Sequence, residues 1–246
     1  MDLQQLLSVT RKAVDEYRLI DQGDTIAIGL SGGKDSMAML YALSALRNFY
    51  PKQFDLKAIT VDLGFENKNS REILQSFCNS MDVPFHFVET NIGHVVFEDR
   101  KEKNPCALCA KLRKGALNRN ALLLGCNKIA YAHHRDDLIE TFLMSLIFEG
   151  RIHTFSPYTY LSRTGLTVIR PMMFLEENDI VNFKNHYHLP VISNPCPENG
   201  NSRREWAKEK IRQLDSENPG TRQNLFAAVI NGQLDGWPER ICRKRQ

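Results

Sequence analysis

Short apolar runs alternate with segments of helical periodicity along most of this chain, and that alternation constrains its fold more than any other feature. The predicted strands lie at residues 23–30, where a turn opens the strand, and at 56–62, 85–88, 128–132 and 166–170. The predicted helices lie at 1–17, 35–48, 71–81, 105–124, 136–148 and 176–187. Strands that alternate with helices form right-handed βαβ units. We therefore predict an α/β fold with a doubly wound, mostly parallel sheet of the Rossmann type.

The length and composition indicate one large domain with an appendage. The chain has 246 residues, of which 42% are hydrophobic and 25% are charged, and a single α/β domain can reach that size. After residue 197 the pattern changes to polar helices without strands. We expect a domain over residues 1–200, with the helix at 105–124 inserted into it, and a helical extension with a basic tail over residues 201–246.

The chain has no apolar stretch approaching the about 18 residues that a membrane helix needs. Its N-terminal segment carries charges throughout, unlike a signal peptide. We expect a cytoplasmic protein, in which thiols stay reduced. Metal or redox chemistry is therefore considered before disulfides for the six cysteines, at positions 78, 106, 109, 126, 196 and 242.

Three polar segments each follow directly after a predicted strand. They occupy residues 31–36, 62–64 and 133–137. In a doubly wound sheet, ligands bind beyond the carboxyl ends of the strands. The sequence therefore predicts that these three segments meet at one edge of the sheet and form a ligand site there.

Residues 31–36, Ser-Gly-Gly-Lys-Asp-Ser, connect a buried strand to a helix. Glycines allow a turn whose N–H groups point inward, the helix N-terminus adds partial positive charge, and Lys34 adds a full one. The pattern predicts a phosphate-binding loop that differs from a Walker A loop. A tight strand-to-helix connection without a ligand is the alternative.

Cys106 and Cys109 stand three residues apart at a predicted helix start, where the helix dipole favours thiolates. Such a pair indicates half of a zinc site, a redox dithiol or part of an iron–sulfur site. Cys196 lies between two prolines on a stiff loop, although it could also be a buried apolar cysteine. Three thiolates would leave one iron of a cubane cluster open to an exogenous sulfide. Cys78 and Cys126 lie in or beside helices, and we expect them in the core.

Residues 133–137, His-His-Arg-Asp-Asp, open a predicted helix. Acidic residues in a first turn are ordinary helix stabilisers. Asp136 and Asp137 could instead hold Mg²⁺ against nucleotide phosphates, and a histidine could contact an adenylate.

Together these motifs resemble a known family. Ser-Gly-Gly-Lys-Asp-Ser resembles the signature of the PP-loop ATP pyrophosphatases, whose fold is adenine nucleotide α-hydrolase-like, and the full set is similar to the tRNA 2-thiocytidine synthetases. The matching stretches, within roughly residues 20–200, are 31–36, Cys106-Ala-Leu-Cys109 with 111–115, 133–137 with Glu140 and Thr141, Arg170-Pro171, and Cys196 after a proline.

The resemblance implies that ATP adenylates the C2 oxygen of a cytidine and that sulfide on an open iron then displaces AMP. The cofactor-binding residues it implies are Leu30, Ser31, Gly32, Gly33, Lys34, Asp35, Ser36, Val61, Asp62, His133 and Asp137. The implied catalytic residues, acting with Mg²⁺, are Lys34, Asp35, Arg113, Asp136 and Asp137. Cys106, Cys109 and Cys196 would hold a 4Fe-4S cluster.

The expected partners are tRNA, a sulfur donor (a cysteine desulfurase or free sulfide) and a second copy of the chain. The candidate RNA contacts are residues 100–103, Arg203, Arg204 and the basic tail, with Trp206 or Phe65 as stacking platforms. The basic residues could instead be solvated helix faces, since the net charge is only +3. Alternatives for the function are adenylation of a small metabolite or another nucleobase, or an iron–sulfur sensor with an ATP-binding fold. Zinc is the alternative metal.

Overall fold

The computed structural model describes residues 1–65, 69–100, 105–193, 196, 203–232, 234 and 236–238. Its described strands form one six-stranded sheet in the order β3-β2-β1-β4-β6-β5. The strands are β1 (Asp24–Gly29), β2 (Phe54–Val61), β3 (Phe85–Val88), β4 (Lys128–Ala130), β5 (Tyr158–Leu161) and β6 (Leu166–Ile169). All neighbouring strands are parallel except β5 and β6. The predicted doubly wound, mostly parallel sheet is confirmed.

Helices surround this sheet and connect its parallel strands. They are α1 (Leu3–Glu16), α2 (Lys34–Arg47), α3 (Ser70–Ser80), α4 (Ile92–His94), α5 (Pro105–Leu123), α6 (Arg135–Glu149), α7 (Glu177–His186), α8 (Arg203–Glu217) and α9 (Thr221–Asn231). A π-helical turn at Val95–Asp99 extends α4. Within the described ranges, no helix is long and apolar enough to cross a bilayer.

Strand β1 lies at the centre of the sheet, where the direction of the strand order reverses. It pairs with β2 on one side through Ile26 and Leu56, and with β4 on the other side through Ile26 and Lys128. The chain moves outward from β1 to β3 and then returns to add β4 beside β1. Such a reversal opens a crevice at the carboxyl ends of the two central strands. The segments after β1 and β4 therefore face each other.

The core is divided by the sheet into two apolar layers. The larger layer includes Ile28, Leu40 and Phe183, which pack between the sheet and helices α1, α2 and α7. The smaller layer joins α5 to the opposite face through Leu117 and neighbouring residues. The absence of a side chain at Gly29 lets α5 approach, since a Cβ at Gly29 would stand 3.1 Å from Leu117 Cδ2. Glycine at position 29 therefore allows α5, the helix that carries Cys106 and Cys109, to pack close to the end of β1.

Strand β5 was not predicted from the sequence. It is an antiparallel edge strand that pairs with β6 across a turn in which Gly165 N donates to Leu161 O at 2.8 Å. Most of its side chains are exposed, so they give no alternation of apolar and polar residues. A short edge strand of this kind is defined by its partner and its turn.

Helices α8 and α9 pack against α6 and against each other. Their contacts bury Ala207, Ile211 and Val229, while most other residues of α8 are exposed. The predicted polar helices after residue 197 are confirmed. Their packing brings the C-terminal part of the chain next to the segment that follows β4.

Substitution of Thr60, near the end of β2, tests how the sheet supports the loop that follows β1. Its buried Oγ1 donates to Leu30 O at 2.6 Å. We expect Thr60→Val to lower the free energy of unfolding by about 1–3 kcal/mol, because it removes the donor of a buried hydrogen bond. Thr60→Ser keeps the hydroxyl and serves as the control. Denaturant unfolding measures both, and equal stability of Thr60→Val and wild type would contradict the assigned role.

Candidate active site

The loop after β1 closes on itself through its two serines. Ser31 Oγ lies 3.1 Å from Ser36 Oγ, which in turn donates to Gly33 O at 2.9 Å. Gly32 has φ +80°, a left-handed conformation that favours glycine. The chain then enters α2 at Lys34. This geometry places a helix N-terminus, a lysine and two hydroxyl groups around one concave turn, and such a turn suits a phosphate.

Ile192 braces this loop from outside. Its backbone N–H donates to Gly32 O at 2.9 Å. A Cβ on Gly32 would stand 3.2 Å from the Ile192 side chain. Ile192 precedes Cys196 by four residues, so this contact ties the segment of the third candidate cysteine to the phosphate loop. Sequence reasoning missed Ile192, because no local pattern marks a contact between segments so far apart.

Lys34 points into a group of carboxylates. Its Nζ lies 3.0 Å from Asp35 Oδ1 and 3.2 Å from Glu177 Oε1. Burial by itself lowers the pKa of Lys34, but the Asp35 and Glu177 carboxylates outweigh that effect and raise it. Glu177 is also held by Lys208, whose Nζ lies 2.7 Å from Glu177 Oε2. Lys34 is therefore fully charged and already oriented.

Asp35 carries an oxygen that suits a cation. Its Oδ1 is buried and lies 3.0 Å from Lys34 Nζ and 3.7 Å from His134 Nε2. Neither approach has hydrogen-bond geometry, and no other described residue donates to this oxygen. A buried oxygen without a hydrogen bond is unusual. A hard oxygen ligand beside a phosphate loop fits Mg²⁺.

His133 follows β4 and is held neutral. Its ring stacks on Phe155 at 4.6 Å, and its Nδ1 accepts a hydrogen bond from Arg170 Nε at 3.3 Å. Burial lowers the pKa of His133 to about 3, and the Arg170 charge acts in the same direction against the opposing Asp137. The acceptor role of Nδ1 assigns the ring proton to Nε2.

His134 connects the loop to α6. As the N-cap of α6, its ring Nδ1 accepts a hydrogen bond from Asp137 N, while its backbone N–H donates to Asp137 Oδ2 at 3.0 Å. Its Nε2 lies 3.4 Å from Asp137 Oδ2 and 3.7 Å from Asp35 Oδ1. The predicted meeting of the segments after β1 and β4 is therefore observed. His134, which was not among the predicted site residues, stands between their carboxylates.

The acidic pair in α6 is held by cations from the C-terminal helices. Asp136 Oδ1 pairs with Arg222 Nη1, and Asp136 Oδ2 accepts from Glu177 N at 2.7 Å. Asp137 Oδ1 lies 2.8 Å from Arg204 Nη1. Any cation that these carboxylates hold would have to share them with the two arginines.

Asp62 lies beyond the carboxyl end of β2, as predicted. Its Oδ1 accepts from Gly64 N at 3.3 Å, and its carbonyl accepts from Thr90 Oγ1 at 2.5 Å. The side chains of Val61 and Asp62 are both partly buried. The segment after β2 therefore forms the flank of the crevice on the side away from β4.

The three candidate cysteines lie in one neighbourhood. Cys106 is exposed, whereas Cys109 and Cys196 are partly buried, and Cys109 interacts electrostatically with both of the others. Burial raises the pKa of Cys109, with Arg113 opposing the shift. The sequence had predicted that the helix start would favour the thiolate, and burial outweighs that effect. Cys78 and Cys126 are buried, as predicted.

The described residues contain no group of three His, Cys, Asp or Glu side chains that converges on a single metal ion. A cubane cluster spreads its thiolate ligands over several iron atoms and does not need that convergence. Three cysteine thiols in one neighbourhood, with Arg113 beside them to offset negative charge, fit such a cluster. The sequence contains no second CxxC pair, which a four-cysteine zinc site usually needs.

The candidate RNA contacts are only partly available. Arg204 turns inward onto Asp137, Glu140 and Thr141, so it is not the open surface cation that the sequence suggested. Trp206 is 39% exposed and packs against Phe148. The remaining candidates are placed as follows: Phe65 packs on Phe97, Arg203 lies over Phe148, Arg100 is exposed, and residues 101–103 and the tail at 240–246 lie outside the described residues.

The central sheet, the strand–loop–helix connection after β1 and the crevice beside β4 define a PP-loop protein. The sequence model of the PP-loop domain matches residues 4–214. A tRNA-cytidine(32) 2-sulfurtransferase from Geobacter metallireducens is 34% identical over 238 residues, which cover 94% of this chain and 92% of that one. The same enzyme from Pelobacter propionicus is 36% identical over 223 residues, covering 89% of this chain and 82% of the other. The chain belongs to the tRNA-cytidine(32) 2-sulfurtransferase family.

Solved structures agree on the fold. The U34-tRNA thiolase NcsA from Methanococcus maripaludis, solved with its [4Fe-4S] cluster, superposes with a TM-score of 0.75 at 22% identity, covering 93% of this chain and 79% of that one. The NMN synthetase from Francisella tularensis superposes with a TM-score of 0.52 at 12% identity, covering 94% of each chain. The predicted fold class is therefore confirmed, and the sequence relatives confirm the predicted family.

Gly32 offers a test of the phosphate loop. Gly32→Ala places a Cβ at positive φ and 3.2 Å from Ile192, and the conformation alone costs about 1–2 kcal/mol. We expect lower stability together with ATP binding weakened by roughly tenfold, because the loop relaxes away from its phosphate-binding shape. Gly165→Ala is the matched control, since Gly165 also has positive φ but lies in an open turn. ATP titration by fluorescence or calorimetry compares the two, and equal ATP affinities would contradict the assignment.

Glu140 offers a test of the charge balance at α6. Burial and the adjacent Asp137 raise the pKa of Glu140 to about 7, although Arg204 opposes the shift. The folded protein therefore binds this proton more tightly than the unfolded chain, and stability falls as the pH rises from about 4.5 to 7.

We expect Glu140→Gln, which mimics the protonated group, to gain on wild type by up to about 3 kcal/mol across that window. Glu149→Gln, at the exposed end of the same helix, is the control. Denaturant unfolding between pH 5 and 8 measures the difference. Parallel pH profiles for wild type and Glu140→Gln would show that the Glu140 proton is not bound as inferred.

Proposed function

We propose that this protein is an ATP-dependent sulfurtransferase that converts a cytidine of tRNA to 2-thiocytidine. One observation carries the proposal: a PP-loop and three cysteines are joined structurally, since Ile192 hydrogen-bonds to Gly32 and the chain reaches Cys196, beside Cys109, four residues later. Membership of the tRNA-cytidine(32) 2-sulfurtransferase family supports the substrate. The fold of an iron–sulfur tRNA thiolase supports the architecture.

The reaction has two displacements. The C2 oxygen of the cytidine attacks the α-phosphorus of ATP, and the bond to the β-phosphate breaks as pyrophosphate leaves. A sulfur nucleophile then forms a bond to C2, and the C2–oxygen bond breaks as AMP takes the electron pair. When bound, a 4Fe-4S cluster with one iron free of protein ligands supplies the site that holds this sulfur.

Residues 30–36 hold the departing pyrophosphate. Lys34 is kept charged by Asp35 and Glu177, so it stabilises the negative charge that grows on the leaving group without a change of protonation. Asp35 Oδ1, which accepts no hydrogen bond from a described residue, supplies the oxygen ligand for Mg²⁺. Asp136 and Asp137 support this arrangement from the opposite wall.

His133 contacts the adenylated intermediate as a neutral donor. Its Nδ1 is taken by Arg170, which leaves Nε2–H to donate to a phosphate oxygen. Because its pKa is about 3, His133 stays neutral near pH 7 and adds no second positive charge beside Lys34. Val61 and Asp62 contact the adenine or ribose from the end of β2.

Arg113 has a place between the two halves of the site. It lies one helical turn after Cys109 on α5 and acts on the Cys109 thiol electrostatically. Metal binding requires deprotonated cysteines, so Arg113 offsets the negative charge of a bound cluster. The same guanidinium orients the adenylate or the base.

Other parts of the assignment stay predictions from the sequence. They are the set of three cluster ligands, a sulfur donor that is either a cysteine desulfurase or free sulfide, a homodimeric state, and a cytoplasmic location.

Nucleoside mass spectrometry of tRNA tests the function. A deletion strain should lack 2-thiocytidine, and the wild-type gene should restore it. Cys196→Ala should fail to restore it and, purified anaerobically, should lose iron and acid-labile sulfide. Cys126→Ala is the control, since Cys126 is buried in the layer beneath α5, and should restore the nucleoside.

Unchanged tRNA nucleosides in the deletion strain would favour a metabolite substrate instead. Zinc in place of iron in the purified protein would exclude the cluster chemistry.

A further inference from the structure

Three cationic side chains gather beside the cysteine helix. Lys114 of α5 interacts electrostatically with Arg170 and with its neighbour Arg113, and Tyr131 interacts with both arginines. Within the described part of the chain, no carboxylate pairs with any of the three, whereas Lys34 and Arg204 do have acidic partners. Arg113 faces the Cys109 thiol, so the positive charge without a negative partner rests on Lys114 and Arg170.

These three cations lie at the same edge of the sheet as the phosphate loop. Leu117 sets the position of α5 along the strand direction, because its Cδ2 lies beside Gly29 at the end of β1. Lys114 lies three residues nearer the start of α5, which is about 4.5 Å farther along the helix axis. Arg170 is the first residue after β6. Lys114 therefore lies in the half of α5 that is nearer the carboxyl edge, and Arg170 follows a strand that ends there.

Arg170 is buried without a counter-charge among the described residues. It is 9% exposed, and its contacts are all neutral: Nη1 donates to Ser156 O at 2.6 Å, Nε donates to His133, and the guanidinium lies over Phe155. Burial lowers the pKa of Arg170 to about 10. Lys114 is exposed as a whole residue, but partial burial of its ammonium group and the two nearby arginines lower its pKa. Leaving a buried cation such as Arg170 without an anion is unfavourable, and a bound anion would remove that penalty.

The sheet order indicates where this anion comes from. The phosphate loop follows β1, and the proposed adenine contacts follow β2, so the nucleotide extends from β1 toward β2. Strand β6 lies on the opposite side of β1, with β4 between them, at about 9–10 Å from β1. The adenosine therefore points away from that side, where His133 meets only the phosphate end of the nucleotide, and the space beside β6 is left for the acceptor.

We propose that Arg113, Lys114 and Arg170 form a binding site for a backbone phosphate of the acceptor RNA beside the target nucleoside. The inference rests on the proposed function and deepens it. Contacts to phosphate set the register of an RNA without reading its sequence. In this role the three cations place the target cytidine between the adenylating loop and the cysteines.

Lys114→Gln provides the main test, since Lys114 is exposed and its replacement leaves the core intact. Binding of an unmodified tRNA transcript to the holoenzyme is measured by fluorescence anisotropy across KCl concentrations. We expect several-fold weaker binding and a slope of log affinity against log salt shallower by about one. ATP affinity should be unchanged. Arg119→Gln, an exposed cation farther along the same helix, is the control and should bind tRNA like wild type.

Arg170→Lys and Arg170→Met provide a second measurement. Lysine keeps the charge and should retain most tRNA binding, whereas methionine should lose it to at least the extent seen for Lys114→Gln. Circular dichroism verifies that each variant is folded before binding is compared.

Two results would overturn the inference. Weaker ATP binding with unchanged tRNA binding would assign the cations to the nucleotide, and no change in either would remove the site altogether. Failure of the proposed function is distinguishable, because a wild-type enzyme that binds tRNA but forms no 2-thiocytidine contradicts the reaction and leaves the phosphate site standing.

Discussion

The left-handed turn at Gly32 is the constraint on which the rest of the site depends. It allows β1 to end, the phosphate loop to curl, and α2 to begin within a few residues. Because the turn leaves Gly32 O directed outward, Ile192 N can donate to it, and this bond brings in the segment that leads to Cys196. The nucleotide half and the sulfur half of the site are therefore coupled by backbone geometry as well as by side chains.

A second organising feature is the set of cations from the C-terminal helices. Arg204, Lys208 and Arg222 pair with Asp137, Glu177 and Asp136 respectively. Carboxylates gathered around a phosphate loop would otherwise repel one another and the nucleotide. The cations make that crowding tolerable, so α8 and α9 contribute to the electrostatics of the site without contributing to the sheet.

Local sequence signals found most of the fold because each depends on neighbouring residues. Strands β1, β2, β4 and β6 are largely buried apolar runs, and β3 is partly buried. The helices between them have apolar residues at helical spacing, so the parallel sheet follows from pattern alone. Strand β5 was missed because its side chains are exposed and its partner, β6, defines it. The loop at 31–36 and the pair Cys106 and Cys109 were recognisable because their chemistry lies in adjacent residues.

The sequence by itself determined the fold class and the family, and it predicted the phosphate loop and the three candidate cysteine ligands. Only the tertiary structure decided which charges meet: Lys34 with Glu177, Asp136 with Arg222, and Lys114 with Arg170. The physical reason is distance along the chain. A turn or a helix start is fixed by bonds between near neighbours, whereas an ion pair between α6 and α9 exists only after the sheet has formed and the helices have packed on it.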